Sequence, residues 1–230
     1  MSTPAEKFVA LLSHRNPRFI DEGKAAKVTA LRHEAFAPAS AEDLARLTAE
    51  LQGAGDDLLA LYRQVNGALA FAVADDPDLH FFFLPVGEME TAKRELETWL
   101  FMLADDPDYE YWEETDPKTG RLYLYGTTDW WPTAVVFGGF GCSPERFYVP
   151  TEGPHRGKVF MYEHDGDYSI HVADSIGAML EDIATAPAAF MRQRSSTGSR
   201  KRSPTSALMA GERRPAAAGS LRGRISSTRR

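Results

Sequence analysis

The fold is decided by residues 133–183, whose sequence is TAVVFGGFGCSPERFYVPTEGPHRGKVFMYEHDGDYSIHVADSIGAMLEDI. Short β-branched and aromatic runs alternate there with Gly, Pro, Ser and Asp, which is typical of strands joined by tight turns. The sequence HDGD at 164–167 predicts an Asp-Gly turn between two strands. Ser175 then caps a short amphipathic segment. Its apolar face consists of Ile176, Met179, Leu180 and Ile183. We therefore predict an antiparallel meander closed by a helix.

Capping residues and helical spacing predict further helices before this meander. Residues 3–6 (TPAE) have the order of a capping box with a proline in the first turn, and residues 40–43 repeat the capping pattern. A third helix begins near Asp56 and ends before Asn66-Gly67, whose residue types suit a helix terminus. A fourth is indicated by apolar residues at helical spacing over 92–103.

Strand signals follow these helices and complete the expected fold class. The runs ALAFAV (68–73), LHFFFL (79–84) and RLYLYG (121–126) are rich in strand-favouring residues. Residues 104–120, ADDPDYEYWEETDPKTG, have turn formers at both ends and are expected to form a long surface loop. We predict an α+β fold with a curved, mostly antiparallel sheet, N-terminal helices and a closing C-terminal helix.

The charge of the chain divides into two parts. Of 230 residues, 43% are hydrophobic, enough for a real core, and the net charge is −7. From Arg192 onward there are eleven basic residues against one acid, so the first 191 residues carry −17. An acidic body repels nucleic acid and attracts basic partners. The composition of the tail favours disorder. Alternatively, the tail is an arm that binds nucleic acid or a membrane surface, or a segment that folds over the acidic body.

Cellular location is inferred from what the sequence lacks. The N-terminus has neither a basic start nor an apolar signal core, and no run is long enough for a membrane span. The single cysteine, Cys142, excludes an internal disulfide and is compatible with a reducing compartment. We expect a cytoplasmic protein without a membrane partner.

Four segments together resemble the SUKH superfamily, which is related to yeast cell-wall-synthesis regulators of the Smi/Knr type. They are LLALYRQVNG (58–67), VVFGGFGCSPERFYVP (135–150), GKVFMYEHDG (157–166) and HVADSIGAMLEDI (171–183). The resemblance implies a strongly curved antiparallel sheet and, in bacteria, frequent use as an immunity protein that blocks a toxin, often a nuclease. It divides the chain into an N-terminal helical extension (1–39), a SUKH-like domain (40–192) and a basic tail (193–230).

No pattern of residues indicates catalysis. His164, Asp165, Asp167 and His171 have ligand side chains, but an Asp-Gly turn accounts for the same residues, so no metal is expected. The remaining candidates also lack the partners that chemistry requires. They are the glycines Gly138, Gly139 and Gly141, expected in a turn or bulge, the thiol of Cys142, and the isolated histidines His14, His33, His80 and His155, expected at the surface or locally bonded. We expect no enzymatic activity and no cofactor.

The acidic and aromatic segment before residue 120 is the predicted partner-binding site. Aromatic anchors ringed by charge are typical of protein-binding hot spots, although acidic loops are also commonly just solvated. The candidate residues are Asp105, Asp106, Asp108, Glu110, Trp112, Glu113, Glu114 and Trp130.

These observations favour a non-enzymatic immunity protein that neutralises a basic toxin domain, possibly a nuclease, by occlusion. One alternative is a regulatory scaffold of the Smi/Knr type that uses the tail as an interaction arm. A less favoured alternative is a small metal-dependent hydrolase using His164 and Asp165. The folded body is not expected to bind nucleic acid, and the oligomeric state is left open.

Overall fold

The computed structural model describes residues 2–13, 18–20, 28–73, 80–104, 111–126, 131–141, 144–163, 168–187 and 189–190. The helices are α1 (Pro4–Leu12), α2 (Ala41–Leu51), α3 (Asp56–Tyr62), α4 (Val86–Ala104) and α5 (Ile176–Thr185). The first five strands are β1 (Arg18–Ile20), β2 (Val28–Ala35), β3 (Ala68–Val73), β4 (Phe81–Phe83) and β5 (Trp112–Thr115). The others are β6 (Leu122–Tyr125), β7 (Val135–Phe140), β8 (Arg146–Val149), β9 (Val159–Glu163) and β10 (Tyr168–Ala173). A 3₁₀ turn covers Trp131–Thr133.

The strands of the described residues form one sheet in the order β1-β2-β3-β4-β7-β8-β9-β10-β6-β5. All neighbouring strands are antiparallel. The ladders slip in register in β2, β7 and β10, and such bulges bend strands and increase their twist. The predicted α+β class, with an antiparallel sheet and a closing helix, is confirmed.

Aromatic rings from several elements fill the core around Phe81. The Phe81 ring lies 5.0 to 5.9 Å, centroid to centroid, from the rings of Phe83, Phe140, Phe147 and Phe190. Mostly edge-to-face packing of this kind is favourable beyond the area it buries. Because Phe190 follows α5, this cluster ties the closing part of the described chain to β4, β7 and β8.

The helix starts agree with their predicted caps. Thr3 and Glu6 form a complete capping box, in which the Glu6 N–H donates to Thr3 Oγ1 at 3.2 Å and the Thr3 N–H donates to Glu6 at 2.8 Å. Ser40 accepts from the Asp43 N–H at 3.0 Å, and Ser175 caps α5 in the same way. Each such cap stabilises a protein by about 1 kcal/mol.

The expectation that residues 1–39 are helical is wrong for 18–20 and 28–35. These residues form β1 and β2, and β2 pairs antiparallel with β3. Residues 31–35 are rich in helix formers, so pairing with β3 overrides local preference here. The helical part of residues 1–39 belongs to the core, since Phe8 of α1 is fully buried 5.2 Å from the ring of Phe83.

The expected surface loop over 104–120 is wrong for Trp112–Thr115, which form β5. This strand pairs with β6 through four residue pairs, from Trp112 opposite Tyr125 to Thr115 opposite Leu122. Trp112 and Thr115 favour a strand but the two glutamates between them do not, so local propensity is mixed and pairing across the hairpin decides the structure. Ala104 ends α4, and 105–110 lie outside the described residues.

Gly67 is required at the turn between α3 and β3. Its φ is +95°, and an added Cβ would lie 2.9 Å from both Phe83 O and Pro85 N. The preceding Asn66 fixes the same turn, because its Oδ1 accepts from the Val86 N–H at 2.9 Å. The predicted Asn-Gly end of the helical segment therefore also positions the start of α4.

We expect Gly67→Ala to destabilise the protein by about 3 kcal/mol, because backbone strain and a steric clash add together. The matched control is Gly120→Ala, since Gly120 has a φ of +69° but open space around its Cα. The control should lose only about 1 kcal/mol from strain. Equal losses in urea denaturation would show that the close approach at Gly67 is not a constraint.

Candidate protein-binding site

A tight turn builds the β5–β6 hairpin that carries the candidate site. Asp116 accepts from the Gly120 N–H through its carbonyl and from the Lys118 N–H through its carboxylate, each at 2.8 Å. The Asp116 N–H donates to Arg121 O, also at 2.8 Å. Gly120 supplies the positive φ that ends the turn. The sequence DPKTG at 116–120 thus sets the register of both strands.

An exposed aromatic stack lies on this hairpin. Trp112 and Tyr125 face each other across the ladder with their ring centroids 3.8 Å apart and their planes 3° from parallel. Tyr125 also contacts Tyr168 of β10, whose ring is buried. Trp112 is 40% exposed, and its neighbour Tyr111 is 36% exposed. The outer ring is therefore available to a partner while the inner rings hold it in place.

A polar network lies on the opposite face of β5. His155 Nε2 lies 2.8 Å from Glu113 Oε1, and the Tyr111 hydroxyl donates to the same carboxylate. Partial burial acts to raise the pKa of Glu113, but the hydrogen bonds from Tyr111 and His155 outweigh it and lower this pKa. Burial and the Glu113 carboxylate raise the pKa of Tyr111, so its hydroxyl stays a donor. The network holds Glu113 charged and oriented.

The structure places three of the predicted site residues on one short strand. Trp112 and Glu114 share one face of β5, whereas Glu113 lies on the other, as strand alternation requires. Glu114 lies 3.5 Å from the Tyr125 hydroxyl, next to the aromatic stack. The other predicted residues lie outside the described part of the chain. They are Asp105, Asp106, Asp108, Glu110 and Trp130.

His155 contacts the candidate site, and sequence reasoning did not include it there. It was expected at the surface or in local contacts, but only 6% of it is exposed and its partner Glu113 is 42 residues away. Its ring also lies against Phe160 of β9, at 5.5 Å between centroids. An isolated histidine in a Pro-His-Arg-Gly turn gives no signal of a long-range partner. Only the sheet order brings the two segments together.

Of the four side chains considered as metal ligands, the structure describes only His171. His171 Nε2 lies 3.3 Å from Asp174 Oδ1, and burial lowers the pKa of His171. The other three proposed ligands, in 164–167, lie outside the described residues. The residues on either side of them, Glu163 and Tyr168, pair directly. Within the described segments, no group of three or more His, Cys, Asp or Glu side chains is arranged to hold a metal ion.

The glycines before Cys142 have a packing role. Gly138 follows the register slip in β7, as expected for a bulge, and an added Cβ would lie 2.5 Å from Phe82 O. At Gly139 an added Cβ would lie 2.5 Å from Glu145 O. The absence of side chains therefore lets β7 approach its neighbours closely, whereas Cys142 lies outside the described residues.

An open groove of about 290 Å³ lies between α2, α4 and the start of β7. Glu50 and Glu90 line it together with Lys93, and Lys93 donates a hydrogen bond to Pro132 O. Burial raises the pKa of Glu50, with a further contribution from Glu90. This groove is separate from the hairpin in sequence and in sheet position. No helix in the described part of the chain is both long and apolar enough to cross a membrane.

The sequence of this domain matches the model of a known protein family. The model of the SMI1 / KNR4 family (SUKH-1) matches residues 38–182, from just before α2 into α5. The chain belongs to this family. No curated protein and no solved structure matches the chain. In this SUKH-1 chain, α1, β1 and β2 precede the matched residues, yet α1 contributes Phe8 to the common core.

In this SUKH-1 domain, we expect Glu113 to stabilise the fold more at neutral than at acidic pH. Because its folded-state pKa lies below its ordinary value of 4.5, its contribution is complete above that pH. The contribution is lost as the pH falls through the folded-state pKa. The melting temperature should therefore fall less for Glu113→Gln than for the wild type between neutral pH and pH values below 4.5. Equal falls would contradict the network.

Proposed function

We propose that this SUKH-1 protein is an immunity protein that neutralises a basic toxin domain by covering its functional surface. The observation that supports this most directly is the exposed Trp112, which stacks on Tyr125 of β6 and has Glu113 and Glu114 as its neighbours along β5. Exposed aromatic side chains with neighbouring charge are enriched where protein partners bind. Family membership supports a non-enzymatic, SUKH-type binding role.

Charge and aromatic packing would act at different stages of binding. The first 191 residues carry −17, so a basic toxin is drawn toward this body and its association is accelerated. Once bound, burial of Trp112 would slow dissociation, because desolvated aromatic anchors contribute much of the binding energy. The carboxylates could occupy a basic groove that otherwise binds nucleic-acid phosphates.

The site is suited to binding without reorganisation. Trp112 is held against Tyr125, and Glu113 is held by Tyr111 and His155. A partner therefore meets side chains that already have their bound orientation, which reduces the entropy cost of association. Occlusion of this kind needs no cofactor and no catalytic step, and it would take place in the cytoplasm.

A regulatory scaffold of the Smi/Knr type is the second candidate, and membership of the family named for those regulators favours it. The two functions differ in what the tail does. Removal of 193–230 should leave toxin neutralisation intact, because the proposed surface lies on β5 and β6. Loss of function with an intact folded domain would instead favour the scaffold.

We expect the double substitution Trp112→Ala with Glu114→Lys to weaken capture of the toxin by about tenfold or more, because it removes the aromatic anchor and reverses a charge. The experiment uses the full chain as bait in extracts at low and moderate salt. Captured proteins are identified by mass spectrometry, and their toxic activity is titrated with the purified bait. The matched control Glu42→Lys makes the same charge change on α2, where Glu42 is exposed.

The proposal requires that the captured protein be a basic toxin whose activity falls stoichiometrically with added bait. It also requires that capture weaken with salt and with the double substitution, but little with Glu42→Lys. If capture yields only non-toxic pathway proteins, or if the double variant neutralises as well as the wild type, the proposed function is wrong.

A further inference from the structure

The edge of the sheet at β5 is open in the described part of the chain. β5 is the last strand in the sheet order, and β6 is its one strand neighbour among the described residues. A strand in this position presents one row of backbone N–H and C=O groups outward. The row lies beside Tyr111 and Trp112, the two exposed aromatic residues of the hairpin.

The hydrogen bond at the turn identifies which residues face outward. The Asp116 N–H donates to Arg121 O at 2.8 Å, so the pair 116/121 is a hydrogen-bonded pair of the ladder. In an antiparallel ladder such pairs alternate with non-bonded ones. The pairs 114/123 and 112/125 are therefore bonded. Consequently, the backbone groups of Glu113 and Thr115 point away from β6, toward the open edge.

The side chains of β5 disfavour pairing with a second copy of the same strand. Two copies of β5 can exchange hydrogen bonds only where the outward backbone groups of Glu113 and Thr115 in one copy lie opposite those of the other. Two antiparallel registers of this kind pair the most residues. One sets Glu113 opposite Glu113 of the other copy, and the second sets Glu114 opposite its counterpart. Like charges directly opposite each other on neighbouring strands are destabilising. The same positions favour a strand that presents positive charge.

We propose that β5 binds an extended, basic segment of a partner protein as an additional strand of the sheet. The inference rests on the proposed function, because it assigns the binding mode of the same surface. Backbone hydrogen bonds to Glu113 and Thr115 hold the segment, and its side chains determine specificity. A sheet edge, not a pocket, is thus the element that selects the partner.

The two faces of β5 define the chemistry of the segment. A partner residue opposite Glu114 lies on the face of the Trp112–Tyr125 stack, since alternate residues share a face. An arginine there can pair with the Glu114 carboxylate and place its guanidinium over an aromatic ring. A partner residue opposite Glu113 meets a carboxylate that His155 and Tyr111 hold charged. The structure therefore favours arginine or lysine at both positions.

A pair of synthetic peptides separates strand addition from simple charge attraction. The probe is a peptide of about eight residues that is valine except for two consecutive arginines at its centre, which lie opposite Glu113 and Glu114. Its control has the same sequence but carries N-methyl groups on the residues whose N–H groups would face β5. The control keeps every charge and loses the ladder hydrogen bonds. We expect it to bind the full-length protein about tenfold more weakly in calorimetric titration.

Two variants test the same contact from the protein side. Thr115→Pro removes the outward N–H of Thr115 without touching a bond to β6, whereas Thr115→Ala retains that N–H. Peptide affinity should fall about tenfold for the proline variant and stay near wild type for the alanine variant. Amide exchange in the wild type provides a readout independent of mutant folding. Peptide binding should slow exchange at Glu113 and Thr115 more than at Glu114, which is already bonded to β6.

Equal binding of the two peptides, or no binding of the arginine–valine peptide at millimolar concentration, would overturn the proposal. Unchanged exchange at Glu113 and Thr115 in the peptide complex would do the same.

Failure of the strand-addition proposal can be distinguished from failure of the proposed immunity function. If toxin is neutralised equally well by Thr115→Pro and Thr115→Ala, strand addition is wrong and immunity stands. If no toxin is captured while both peptide differences are observed, immunity is wrong and the strand-binding edge stands.

Discussion

The antiparallel pairing of β6 with β10 is the constraint on which the candidate site depends. β6 precedes β7 in the chain but lies beyond β10 in the sheet, so the β5–β6 hairpin becomes the end of the sheet. This position brings Tyr125 against Tyr168 and leaves Trp112 at the margin. It also brings Glu113 to His155 across 42 residues of sequence. Without this pairing, the hairpin would have neither its aromatic support nor its buried histidine.

The rest of the fold serves as a rigid platform for this edge. Phe81 joins rings from β4, β7, β8 and the segment after α5, and Phe8 of α1 packs against Phe83 in the same core. A densely packed interior resists local rearrangement, so the side chains at its margin keep one arrangement. Binding at such a margin loses little conformational entropy. The core therefore affects recognition although none of these rings is part of the candidate surface.

Local signals predicted much of the fold, whereas long-range pairing explains what was missed. Caps at Thr3, Ser40 and Ser175 and the strand at 68–73 depend on neighbouring residues, and the structure has them as predicted. β5 contains two consecutive glutamates and is a strand because β6 pairs with it. β2 has helix-favouring residues and is a strand because β3 pairs with it. Composition predicted Trp112, Glu113 and Glu114 as binding residues, and their role in binding stays a prediction, whereas their long-range partner His155 had no local signal.

Hydrogen exchange of the full chain, alone and with the protein that it captures, tests the central claim most directly. The account predicts that the partner slows backbone exchange across 111–126 and leaves the groove between α2 and α4 nearly unchanged. Because exchange is measured residue by residue, it locates the contact without any substitution. Slowed exchange confined to the groove residues around Glu50 and Lys93, with no change in β5, would contradict the account.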